Sequence, residues 1–154
     1  MAEKLNKKIE QEQWVELYEY IRKEILGYDK SLQLPRIFIL RLKGLREGKF
    51  CANTKSPSKS LGDYPYKSIL IAFKMCKMDL IRVLSTKTFK DEAHKVNYLM
   101  AIIESKINDI CIRIKKVENA QEKGEHIKIN NDDNKAEYKH KTKEVKNSRL
   151  KHLL

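Results

Sequence analysis

Residues 91–120 read DEAHKVNYLMAIIESKINDICIRIKKVENA. Val96, Leu99/Met100, Ile103, Ile107, Ile110/Cys111, Ile114 and Val117 recur every three or four positions. A helix turns once in 3.6 residues, so this spacing puts all of them on one face, whereas a strand would alternate at two. The spacing predicts a long amphipathic helix from Asp91 to about Ala120. Asp91, Glu92 and His94 sit together at its start. On paper they are metal-ligating types, but acidic groups in a first helical turn are what the helix dipole favours, so their expected role is to start the helix.

The same periodicity extends upstream. Trp14, Leu17, Tyr18, Ile21 and Ile25 make one stripe over about 9–26, and Gly27 follows as a helix-closing residue. Pro35 suits a helix start, and Ile37, Phe38, Leu40, Leu42 and Leu45 run on to Gly48. That short apolar segment is compatible with a strand, but Leu-Lys-Gly-Leu-Arg-Glu continues better as helix; Gly44 counts against it. Residues 51–63, CANTKSPSKSLGD, read as a loop. Asp63 or Tyr64 then caps a helix with Pro65 in its first turn, carrying Tyr66, Ile69, Leu70, Phe73 and Cys76. Met78 to Leu84 reads as a separate short helix with Asp79 as its cap, and STKTFK as a break with Phe89 tucked beneath it.

After Ala120 the pattern stops. Few apolar residues remain among many Lys, Asn and Glu, too few to offset chain entropy, so 121–154 is expected to be a disordered basic tail. Leu150, Leu153 and Leu154 at its end share one side of a helical turn and form a candidate partner-docking motif. The fold expected is all-α: a compact bundle of four to five helices over 1–120, followed by that tail.

The chain is 154 residues long, with 33 Lys and Arg against 21 Asp and Glu, a formal charge of +12. The surplus is concentrated. Residues 1–29 hold 5 basic and 7 acidic side chains, whereas residues 36–95 hold 14 basic and 5 acidic. A concentrated surplus suggests a face for an anionic partner. Arg36, Arg41, Lys43, Arg46, Lys49, Lys55, Lys59, Lys67 and Lys74 are the candidate phosphate contacts, and Tyr64 a candidate platform for stacking an unpaired base. Lys77, Arg82, Lys87, Lys90 and Lys95 would extend the patch. Glu12, Glu16 and Glu19 read as a solvated acidic face on the first helix.

No catalytic constellation is legible. There is no GxSxG elbow, and neither GxGxxG nor GxxxxGK[ST] occurs. Three of the four histidines (His126, His140, His152) fall in the tail. Cys51, Cys76 and Cys111 are too widely spaced for a local metal knuckle and read as reduced thiols. The N-terminus has no apolar signal region, and no apolar run approaches membrane-spanning length. The expectations are therefore a cytoplasmic protein that is not an enzyme, with no cofactor, no metal and no membrane partner.

Two stretches carry a family resemblance. YKSILIAFKMCKMDLIRVLS (66–85) resembles the paired helices of DnaD-like replication-initiation domains. HKVNYLMAIIESKIND (94–109) is similar to the Asn-x-x-Tyr-Ile-x-x-Ile-Leu pattern that follows there, through Asn97, Tyr98, Met100, Ile102 and Ile103. The resemblance covers about residues 64–110 and implies DNA binding by basic residues and by the helix after the tyrosine. The whole chain also looks like small proteins of Gram-positive phages and mobile elements. The function these imply is a nucleic-acid-binding accessory protein in mobile-element or phage DNA replication. Its partners would be DNA or RNA, together with a replisome or host protein. The alternative is a small anti-CRISPR-like inhibitor that binds a host nucleic-acid-processing protein.

Overall fold

The computed structural model describes residues 2–55 and 62–131. They form four α-helices: α1 (Ala2–Tyr20), α2 (Arg36–Glu47), α3 (Tyr66–Thr86) and α4 (Glu92–Asn131). A π-helical turn, Ile21–Ile25, extends α1. There the Leu26 N–H reaches back five residues to the Ile21 carbonyl at 3.0 Å. Gly27 follows at φ +64°, a left-handed conformation that a Cβ disfavours.

Pro35 and Pro65 act as helix starters, one position earlier than the sequence suggests. Pro35 and Pro65 each immediately precede a helix, and their carbonyls accept the first helical bonds, from Phe38, Ile39 and Ile69. A proline there costs no hydrogen bond, because the first N–H groups of a helix have no intrahelical acceptor. Tyr64 is therefore not a cap; its side chain turns inward instead.

Gly44 has a different reason to be glycine than a helix end. A Cβ on it would lie 2.7 Å from the Cα of Cys51. The chain leaving α2 folds back over the helix, with the Ala52 N–H donating to the Leu40 carbonyl at 3.0 Å. Close backbone approach outweighs the helix propensity lost at this position.

Three boundaries differ from the sequence reading. α1 begins at Ala2, since Ala, Glu, Leu and Lys propagate a helix even where they bury little. Met78–Leu84 continues α3 without a break, because nothing in Lys77-Met78-Asp79 interrupts the backbone ladder. Asp79 does not cap; its carboxylate takes Lys106 of α4 at 2.6 Å. α4 runs on past Ala120 to Asn131, so residues 121–131 are helical rather than disordered: Gln, Glu and Lys sustain a helix after the apolar stripe has ended. The expected tail beyond 131, with Leu150, Leu153 and Leu154, lies outside the described residues.

Backbone contacts divide the chain into two units, residues 1–118 and 119–154. Among its described residues the first holds a single apolar core. Leu17 and Ile21, Phe38, Leu42 and Leu45, Ile69, Phe73 and Leu80, and Leu99, Met100, Ile103 and Ile107 are all fully buried. The Phe38 and Phe73 rings meet at 6.2 Å. The stripe that defines α4 is thus the wall against which the shorter helices pack.

Candidate nucleic-acid interface

The cations concentrated in residues 36–95 do not form one face. Arg41 is only 2% exposed and cannot reach a phosphate. Its guanidinium lies 3.1 Å from the Glu104 carboxylate, donates to the Phe50 carbonyl at 2.7 Å and sits 3.6 Å over the Phe50 ring. Arg41 is a core residue in a helix whose other buried positions are Phe38, Leu42, Gly44 and Leu45. Tyr64 is also buried, and its hydroxyl donates to the Asn108 side-chain oxygen, so no base can stack on it. These two assignments are corrected: burial keeps Arg41 from a phosphate and leaves the Tyr64 ring too little exposed to stack a base.

Others are engaged by acids of the first helix. Arg46 holds Glu10 at 2.9 Å, Lys74 lies 3.5 Å from Glu16, and Lys77 bonds Glu24 at 2.5 Å. Glu16 is therefore part of an interhelical seam rather than a free acidic face. The negative N-terminal segment lies on the positive central one, and the fold consumes part of the surplus internally. The hydrogen bond from Lys77 holds the Glu24 carboxyl below its ordinary value. Lys49 pairs with Glu47 at 3.0 Å. Arg36, Lys43, Lys55 and Lys67 remain exposed without an ion pair among the described residues, although Lys43 leans over the Trp14 ring at 5.4 Å. Lys59 lies outside the described residues.

Tyr64 lines a cleft of about 460 Å³ with Gln13, Ser68, Asn108 and Cys111. Lys67 and Lys115 border it, but so do Asp63 and Glu118. Two cations against two acids leave it without the net field that draws a polyanion.

The turn between α3 and α4 is different. Arg82, Lys87 and Lys90 are exposed there and make no ion pair among the described residues. Lys87 Nζ stands 4.3 Å over the centre of the Tyr98 ring. Phe89 meets Tyr98 edge-on at 6.0 Å and His94 at 5.7 Å. The local backbone holds this cluster in place. Ser85 and Thr86 hydroxyls donate to the Arg82 carbonyl at 2.9 and 2.7 Å, closing α3. Asp91 Oδ1 accepts the His94 backbone N–H at 2.6 Å, opening α4. That contact is the N-cap bond expected of a helix-starting aspartate. A lysine over a half-buried aromatic ring, with two further cations in the same turn that make no ion pair among the described residues, is an arrangement of the kind that single-strand binders use. In the sequence, Lys87, Lys90 and Arg82 read as a mere extension of the patch, and Phe89 as a plug. Their junction with Tyr98 depends on the tightness of the turn, which no spacing rule reports.

Among the described residues no helix is long and apolar enough to cross a membrane. No curated protein and no solved structure matches the chain. A family model described as SPbeta prophage protein YorH matches residues 1–153. That match accords with the likeness to phage and mobile-element proteins and lends no support to the DnaD-like pattern. Spanning nearly the whole length, it shows that the chain belongs to the family of the SPbeta prophage protein YorH.

Proposed function

We propose that this phage protein is a nucleic-acid-binding accessory factor, acting by binding rather than catalysis, and that the tip of the α3–α4 hairpin is its contact surface. Arg82, Lys87 and Lys90 neutralise backbone phosphates, and the exposed edge of the Phe89–Tyr98 pair receives an unpaired base. The observation that carries this reading is Lys87 standing over that aromatic pair, with Arg82 and Lys90 in the same hairpin tip and also without an ion pair among the described residues. Phosphate contacts supply affinity without sequence information, so the binding is general. A replication role is the setting in which a phage factor with such a surface meets exposed single strands.

Fluorescence anisotropy with a labelled oligo-dT single strand tests it. Each phosphate contact on a single strand contributes about −0.7 to the slope of log K against log salt, so three contacts predict about −2. Binding that is absent at low salt, or indifferent to salt, contradicts the proposal.

A further inference from the structure

The apolar stripe of α4 outlasts its cover. Ile103 and Ile107 are fully buried and Ile110 nearly so, but Ile114 is only partly covered and Val117 is 56% exposed. Beside it, the outer face of α3 presents Ile71 and Met75, with Met78 one turn further on. Met75 is 56% and Met78 71% exposed. Together Ile71, Met75, Ile110, Ile114 and Val117 line an open groove of about 360 Å³. Its rim carries Lys67 and Arg113, neither with an ion pair among the described residues, and Glu118.

We infer that this groove docks an amphipathic helix of a partner protein whose apolar face is flanked by acidic residues. Shape and chemistry both point there. Two adjacent helices with a continuous apolar seam accept a third helix through anchors spaced at three and four residues. Methionine is flexible and polarizable, which suits an adaptable protein-binding surface, and solvent exposure of two methionines has no use within the fold. Charge selects the occupant. Lys67 and Arg113 favour carboxylates beside the seam, whereas a second copy of this chain would bring another +12. The groove lies toward the opposite end of the hairpin from Lys87. Lys87, the C-cap of α3, lies twelve positions after Met75, about 18 Å at 1.5 Å per residue, so both surfaces can be occupied at once. The inference stands independently of the nucleic-acid reading.

The probe is a fluorescein-labelled helical peptide with leucines at three- and four-residue spacing and glutamates elsewhere, compared with its lysine counterpart. Anisotropy on the full chain should show binding of the glutamate peptide, with affinity at least about tenfold above the lysine peptide. Met75→Glu should weaken it at least about tenfold, and so should Val117→Glu, which guards against a folding defect in either variant. Circular dichroism melts of both variants should match the parent, since both sites are open to solvent. Absence of binding, equal binding of the two peptides, or binding untouched by both substitutions overturns the inference. So does a parent that sediments as a dimer and becomes monomeric on Met75→Glu, which would make a second copy the occupant.

Discussion

Arg41 of α2 and Glu104 of α4 form an ion pair of 3.1 Å with side chains only 2% and 5% exposed, buried where the two helices cross. Burial pulls the guanidinium below its ordinary value, and Glu104 opposes that shift. The Arg41 Nε has no hydrogen-bond partner among the described residues. A pair of this kind fixes the register of α2 against α4 more than it adds stability, because desolvation offsets most of the attraction.

Removing one member is a different matter. Glu104→Ala leaves an uncompensated buried cation and should cost about 3–5 kcal/mol. The double variant Arg41→Met, Glu104→Leu should recover most of that loss, since an apolar pair of similar volume replaces both charges. Urea denaturation of the three proteins measures it. A single variant as stable as the parent would mean that the pair is solvated.

Gly44→Ala should destabilise the fold by about 1–3 kcal/mol, the usual cost of forcing volume into a packed site. Alanine is the better helix former, so propensity alone predicts the opposite sign. The new methyl group would meet the Cys51 backbone rather than a side chain that can move aside. A thermal melt at or above that of the parent would show that the 49–52 segment can lift off α2.

Much of the fold was legible because α4 states its period over many turns and the helices before it repeat that period. Legibility ended where the partner of a residue lies far along the chain. Arg41 reads as one more base in Arg-Leu-Lys-Gly-Leu-Arg until Glu104 is beside it. Arg46 meets Glu10 across 36 positions, and Asp79 meets Lys106 across 27. Composition counted those charges correctly but could not separate paired cations from free ones. For the same reason the proposed site lies at the hairpin tip rather than on α2: Arg82, Lys87 and Lys90 form no ion pair among the described residues.

Acid and alkali should each loosen the bundle. Hydrogen bonds from Arg22, Lys77 and Lys106 hold Glu19, Glu24 and Asp79 below their ordinary values of 4.5, 4.5 and 3.8. A depressed carboxylate contributes stability that is present above its unfolded value and lost as pH falls through its folded one, so this contribution goes below about pH 4. Lys77 and Lys106 are raised by the same bonds, a contribution present below 10.5 and lost as pH rises through their folded values. Burial raises the Cys76 and Cys111 thiols above 9.0, so the unfolded chain ionises first and stability already declines as pH climbs past 9. Melts from pH 3 to pH 11 should therefore show a plateau near neutrality with a fall on each side; a melting temperature still rising below pH 4 would contradict the ion-pair seam.

The most direct test compares two variants of equal charge. Lys87→Gln with Lys90→Gln removes two free cations at the hairpin tip. Arg46→Gln with Lys49→Gln removes two that are held by Glu10 and Glu47. Anisotropy titrations of both on oligo-dT, at about 0.1 M salt where charges beyond about 10 Å are screened, separate place from net charge. The account predicts a loss of at least about tenfold for the tip variant, a salt slope reduced by about 1.4, and a change under about twofold for the other. Equal losses in the two variants, or a larger loss in the Arg46–Lys49 variant, would contradict it.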